Sequence, residues 1–415
     1  RSVPWPPSTP VAMQCHTARA VRALLPAAVP MATASPGIAA RRASTRPRGA
    51  RHVRAAGAPR TRVRPCAATA PLPEDELHAL RAAAEEAAEA GARVIRDALG
   101  DGTAAGAPRG VAMREVRVRR STRWPARRWC RRRRRNRCLL THACALCRAL
   151  QKSSAADIVT EVDGRAEEAV IAALRSALGD SSVAILGEEG GVTGDTAGSE
   201  LLWCVDPLDG TTNFAAGYPS FAVSVGCLFR GAPVAAAIVE FTGGPFCWAT
   251  RTFSAAKGMG ATCQGAPIEC SPNDAIEKSL LVTGFGYDHG AAWAANMESF
   301  KHFTDCTRGV RRLGAAAVDL CHVALGIVDA YWEYNLSPWD VAAGVLIAEE
   351  AGALVTTLDG KPYSVFDRSM IAVTPGLQGA ILDSYLAPRT RRLVEEEGVD
   401  LGRWKMPEGV ILDLP

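Results

Sequence analysis

Two stretches of this chain cannot bury a core, and they confine folding to what remains. Residues 1–73 carry 12 Arg and no acid, and residues 109–150 carry 15 Arg and one acid, Glu115. Like charges at that density repel, and they come with too few apolar side chains to offset the entropy of ordering. The rest of the chain keeps 21 of the 48 basic residues and 42 of the 43 acids, a net charge of −21 inside a chain whose total is +5. A body so acidic is a poor partner for nucleic acid, whose phosphates demand cations. It is a good host for divalent metal ions. No apolar run approaches the ~20 residues of a membrane span. The longest are strand-sized, such as 221–229.

These boundaries divide the chain. Residues 1–72, rich in Arg, Ala, Pro and Ser, read as an organellar transit peptide, with the chloroplast stroma as destination and the mitochondrion as the alternative. Residues 73–400 form one folded domain, and 401–415 a tail. The segment 107–150 interrupts that domain with Arg131 to Arg135 in succession. It supports three readings. One is a basic nucleic-acid patch, which would make the chain an Arg-rich binding protein and no enzyme. Another is a zinc site from Cys130, Cys138, His142, Cys144 and Cys147, which lacks a second C-x-x-C. The third is a retained intron, and on that reading the segment is dispensable. The 13 Cys residues form no framework, so free thiols are expected. Cys204, Cys227 and Cys247 are expected in the core.

Outside the Arg-rich stretches the pattern alternates. Apolar residues from Leu77 to Ala98 recur at helical spacing and predict an amphipathic helix ending near Gly100. Strands are expected at 158–160, 183–186, 201–205, 221–229, 233–240, 246–250 and 328–333. Helices are expected at 166–178, 315–325 and from about Trp339 to Gly352, the last opened by Ser337-Pro338.

The chemistry is carried by acids at strand ends. The strand at 183–186 runs into Gly187-Glu188-Glu189-Gly190-Gly191, and the strand at 201–205 into Asp206-Pro207-Leu208-Asp209-Gly210-Thr211-Thr212. Asp340 sits in the first turn of a helix that follows a strand. In the middle segment Pro207 fixes φ and Gly210 permits a tight turn, so Asp206, Asp209 and the Leu208 carbonyl can face one point. The Gly210 and Thr211 N–H groups can meet a phosphate if a helix begins there. Oxygen-only ligands suit Mg²⁺, and the absence of His and Cys from these three segments argues against zinc.

In these segments the chain resembles the inositol monophosphatase family. The matching stretches are Lys152 through Asp163, Gly187-Glu188-Glu189, Trp203 through Phe214, Gly314 through Asp319, and Trp339-Asp340-Val341-Ala342-Ala343-Gly344. The likeness is greatest to the chloroplast members of plants and algae, through 217–226 and 308–314. It implies an α+β fold, the layered α/β/α/β/α sandwich of the sugar phosphatases, usually as a homodimer. It implies two or three Mg²⁺ ions, held by Glu188, Asp206, the Leu208 carbonyl, Asp209 and Asp340. Thr211, backed by Asp163, would orient the attacking water, with Glu188 sharing a further metal. Gly210 and Thr211 would bind phosphate, while Ala316, Glu333 and Asp340 would line the substrate site. The implied substrate is a small phosphate monoester, myo-inositol 1-phosphate foremost, with Li⁺ as inhibitor and neither nucleic acid nor membrane as partner. The alternatives are galactose 1-phosphate, histidinol phosphate or a bisphosphate. A bisphosphate needs a second basic pocket, and only 18 basic residues stand from Lys152 on.

Overall fold

The computed structural model describes residues 72–100, 150–151, 158–159, 161–245, 247–286 and 288–415. All of them belong to one compact unit, Arg64–Pro415. The sequence readings at 1–71, most of 107–150 with its cysteines, and Lys152 lie outside the described residues. Two short strands, β1 (Leu150–Gln151) and β2 (Ile158–Val159), pair antiparallel with Leu150 opposite Val159. The carboxyl end of the Arg-rich segment is thus part of the described structure.

A sheet of eight strands carries most of the remainder. Its members are β3 (Ile185–Gly187), β4 (Gly191–Thr193), β5 (Leu201–Asp209), β6 (Phe221–Phe229), β7 (Ala232–Thr242), β8 (Ala249–Ala256), β9 (Ala261–Cys263) and β10 (Ala266–Ile268). They lie in the order β10-β9-β8-β7-β6-β5-β3-β4, and only β3 and β5 run parallel. The central strands read as unbroken apolar runs because both faces are covered. On β7, Ala235, Ala237, Val239 and Phe241 face the helices α1 (Glu74–Leu99) and α2 (Glu161–Leu178). Ala236 and Ile238 face the other way, into a cluster with α5 (Ala316–Ala324) and α6 (Pro338–Glu350). Here α6 lies directly on the sheet: a Cβ at Gly226 would come within 2.7 Å of the Ala343 nitrogen.

The second sheet has five strands in the order β12-β11-β13-β15-β14. They are β11 (Leu280–Thr283), β12 (Gly309–Arg311), β13 (Ala330–Tyr334), β14 (Leu354–Thr356) and β15 (Ser369–Val373). One face meets α5 and α6 through Tyr331 and Met370. The other meets α4 (Ala291–Cys306) and α7 (Ala387–Glu395) through Ala330, Trp332 and Ile371. The layers are therefore helix, sheet, helix, sheet, helix, the expected α+β sandwich. The middle helix layer is also tied to the sheet by a polar contact. Glu240 of β7, almost wholly buried, pairs with Arg251 of β8 and with His322 Nε2 of α5 at 3.1 Å.

The structure corrects several expectations. β5 continues through Asp206 and Asp209 instead of stopping at Val205, because the register against β6 shifts between those two acids. Pro207 has no N–H to give a ladder, and the shift absorbs it. Strand β3 starts two residues later than expected, and β8 covers 249–256 instead of 246–250. Cys204 and Cys227 are buried as expected, but Cys247 is exposed. It follows the turn at Gly243 and Gly244, ahead of β8.

Candidate active site

Four of the expected acids gather where β3, β5 and α6 end or begin. Asp206 and Asp209 are the last acids of β5, and both are buried. Asp206 Oδ1 accepts the Leu208 N–H at 3.0 Å. Asp209 accepts two N–H groups from the first turn of α5, Ala316 to Oδ1 at 3.2 Å and Ala317 to Oδ2 at 2.7 Å. That contact fixes Ala316 beside the acids. Glu188 stands in the turn between β3 and β4, and its N–H donates to the Val205 carbonyl at 3.1 Å. Asp340 is held by helix capping: Ser337 is the N-cap of α6, and Asp340 Oδ2 accepts the Ser337 N–H at 2.8 Å.

Charge couples these groups. Burial pushes Asp206 well above the usual carboxylate range, and the negative charges of Glu188, Asp209 and Asp340 push it further. Asp209 rises to about 7, mainly through burial, although the α5 N–H groups pull it back. Burial and Glu188 likewise raise Asp340, against the Ser337 hydrogen bond. The strongest charges acting on Asp206 are all negative, and such a set is satisfied by a multivalent cation. Its donors are oxygens, which fits Mg²⁺. Among the described residues, no three His, Cys, Asp or Glu side chains already stand at one ready-made ligand point.

The backbone turns sharply after β5. Gly210 has φ +85°, and a Cβ there would lie 2.8 Å from the Ser220 carbonyl. The six-residue helix α3 (Thr211–Ala216) starts at the next residue. Thr211 Oγ1 lies 3.0 Å from Asp163 Oδ1 and 3.0 Å from the Leu208 carbonyl, so one hydroxyl hydrogen serves two acceptors. Asn213 then ties this segment to the loop ahead of α5, donating to the Leu313 carbonyl at 2.8 Å. Glu333 is on β13, nearly buried, with Tyr331 donating to its Oε2 at 2.6 Å. Burial lifts its carboxyl to about 7, opposed by that hydrogen bond and by Arg312.

Sequence reasoning gave no role to two buried acids of this region, Glu167 and Asp319. Glu167 of α2 accepts the Glu189 N–H at 3.1 Å, and a Cβ at Gly187 would collide with its carboxylate. The only signal for it was an acid on the buried stripe of a helix. Asp319 of α5 is buried, and among the described residues neither of its carboxylate oxygens has a hydrogen-bond partner. Burial and Glu333 raise its pKa well above the usual range.

Comparison with known proteins identifies the family of the chain. Residues 137–394 match the inositol monophosphatase family. The chain is 58% identical over 252 residues to the chloroplastic phosphatase IMPL1 of Arabidopsis thaliana, covering 61% of this chain and 67% of that one. It is 40% identical over 222 residues to an inositol-1-monophosphatase of Synechocystis, covering 54% and 74%. Among solved structures, the inositol monophosphatase from Anabaena (Nostoc) matches with a TM-score of 0.50 at 40% identity, over 56% of this chain and 86% of that one. A second, from Thermotoga maritima, matches with a TM-score of 0.51 at 28% identity, over 61% and 90%. More than half of the chain answers to one family in sequence, and its layered fold answers to the same family in structure: the chain belongs to the inositol monophosphatase family and is a phosphoric monoester hydrolase.

Proposed function

We propose that this protein hydrolyses small polyol and sugar phosphate monoesters with Mg²⁺, myo-inositol 1-phosphate foremost. The observation that carries this reading is the buried pair Asp206 and Asp209 with Glu188 and Asp340 beside them, whose charges raise the pKa of Asp206, next to the Thr211–Asp163 pair. Mg²⁺ would be held by Glu188, Asp206, the Leu208 carbonyl, Asp209 and Asp340. Asp209 and Leu208 each already accept a hydrogen bond, but an oxygen with two lone pairs retains one for a metal. When bound, the ions supply Lewis acidity that makes water nucleophilic and offsets charge on the leaving oxygen.

The chain's own residues do the rest. Thr211 gives its hydrogen to Asp163, which leaves its oxygen to accept from the attacking water and aim it. The Gly210 and Thr211 N–H groups meet the phosphate, at a turn that only a left-handed residue makes. Water oxygen bonds to phosphorus as the ester P–O bond breaks; the attacking water releases a proton to solvent and the departing alkoxide takes one from solvent. No side-chain nucleophile takes part, so no phosphoenzyme forms. Glu333 accepts a hydroxyl of the polyol, and Ala316 and Asp340 border the same space.

We further propose that the protein acts in the plastid. The support is the Arg-rich, acid-free start and the relative named chloroplastic. The family resemblance leads us to propose a homodimer and inhibition by Li⁺. The test of substrate class is a panel of inositol 1-phosphate, galactose 1-phosphate, histidinol phosphate and fructose 1,6-bisphosphate. The expected order puts inositol 1-phosphate first in kcat/KM. A clear preference for the bisphosphate overturns the monoester reading.

A further inference from the structure

The position of Glu333 is set by groups that the reaction itself does not use. β11 and β13 run parallel, with Thr283 opposite Trp332, so Gly284 falls beside Glu333. Glu333 leans over that glycine: a Cβ at Gly284 would stand 1.8 Å from Oε2, 2.3 Å from Cδ and 2.6 Å from Oε1. No side chain larger than hydrogen leaves the carboxylate where it is.

The glycine is itself anchored. Its carbonyl accepts Asn296 Nδ2 at 2.6 Å, and Asn296 Oδ1 accepts the Trp332 indole N–H at 2.6 Å. Thr283 Oγ1 donates to the Trp332 carbonyl at 2.6 Å. All three side chains are buried, so the backbone on both sides of the carboxylate is fixed from the α4 face. On the other face of β13 lies Tyr331, wholly buried two residues before Glu333, with its hydroxyl 2.6 Å from Oε2. A hydrogen bond to an ionised acceptor is among the stronger ones. A carboxylate held at one oxygen and backed by bare backbone presents its remaining lone pairs in one direction.

We propose that Tyr331 and Gly284 are positioning residues that aim the Glu333 carboxylate at a substrate hydroxyl, and so set the preference for polyol phosphates over phosphate esters without hydroxyls. This rests on the proposed role of Glu333 as the hydroxyl acceptor. Neither residue touches the phosphate, and neither belongs to the acid group of β5 and α6. Their removal changes recognition of the alcohol and leaves phosphate chemistry alone.

The test is steady-state kinetics of the full chain in Mg²⁺ on two substrates, inositol 1-phosphate and p-nitrophenyl phosphate, which has no hydroxyl to read. Tyr331→Phe removes one oxygen and keeps the ring. It is expected to raise KM for inositol 1-phosphate about tenfold, the size of a lost hydrogen bond to a charged group. kcat and the p-nitrophenyl phosphate constants are expected to stay within about twofold. Gly284→Ala is expected to give the same split with a larger rise, and Glu333→Gln sets the reference pattern. Tyr331→Phe is also expected to move the pH dependence of KM for inositol 1-phosphate upward, because the lost hydrogen bond had favoured the ionised carboxylate. Equal losses on both substrates, or unchanged selectivity in both variants, overturn the proposal. A wild-type enzyme that gains nothing from substrate hydroxyls overturns the substrate reading and the proposal together, whereas wild-type selectivity that survives both substitutions overturns the proposal alone.

Discussion

Thr211 and Asp163, 48 residues apart in sequence, meet with Oγ1 and Oδ1 3.0 Å apart, where the end of β5 reaches the first turn of α2. Asp163 is buried, so its carboxylate is committed to local hydrogen bonding instead of to solvent. Thr211 also reaches the Leu208 carbonyl, which ties the hydroxyl to the same bulge that turns Asp206 and Asp209. Any strain in that bulge is therefore felt at the hydroxyl proposed to aim the water.

Asp209→Asn is expected to cut activity by roughly a thousandfold or more, because it removes one unit of the negative charge that attracts the metal. The fold should survive, since the amide oxygen can still accept an α5 N–H. Circular dichroism and kcat at saturating Mg²⁺ check both halves. Near-normal turnover would remove Asp209 from the metal site.

Stability should depend on pH in a definite direction when metal is removed. Glu333 is raised to about 7, and Asp319 is raised well above the carboxylate range. Asp206, Asp209 and Asp340 shift the same way. For each, the folded chain keeps a proton that the unfolded chain releases near pH ~4. The unfolded state then binds fewer protons, so stability is greatest below the unfolded value and falls as pH rises through the folded one. The thermal midpoint in EDTA is expected to decline between about pH 5 and pH 8, and Mg²⁺ to raise it more at the upper end. A midpoint in EDTA that climbs over that range would contradict the burial of these acids.

The Arg-rich segment yields a third prediction. Deleting residues 107–149, which spares the Leu150–Val159 pair, is expected to leave thermal stability unchanged or higher and activity undiminished. Loop length alone costs little, since closure entropy grows logarithmically. Loss of activity in a variant that keeps its melting temperature would show that the segment works in the enzyme.

Localisation is tested by fusing residues 1–75 to a fluorescent protein in a plant or algal cell. Plastid import is expected, and cytosolic retention would refute it.

Much of the site was legible because its acids lie in short segments with strong local signatures. Asp206, Asp209 and Gly210 stand within five residues, and Ser337-Pro338 announces the helix that presents Asp340. The supporting residues were not legible, for a physical reason. Glu167 and Asn296 act through partners 22 and 12 residues away that only the sheets and helices bring into register. Gly284 reads as an ordinary strand-end glycine until Glu333 is placed above it. The three-residue strands β9, β10 and β12 carry too little periodicity to be seen. Helix α4 was missed because its polar and apolar residues are mixed, and only five of its sixteen are buried.

Asp206 and Asp209 of β5, with Asp340 of α6 and Glu188 of the β3–β4 turn, are proposed to make a Mg²⁺-dependent phosphatase. The most direct test is inorganic phosphate released from inositol 1-phosphate by the full chain as Mg²⁺ is titrated from EDTA-treated protein. No release is expected in EDTA, saturable release as Mg²⁺ is added, and none at any Mg²⁺ concentration for Asp206→Asn. Release that persists in EDTA, or that Asp206→Asn sustains at the wild-type rate, would contradict the proposal.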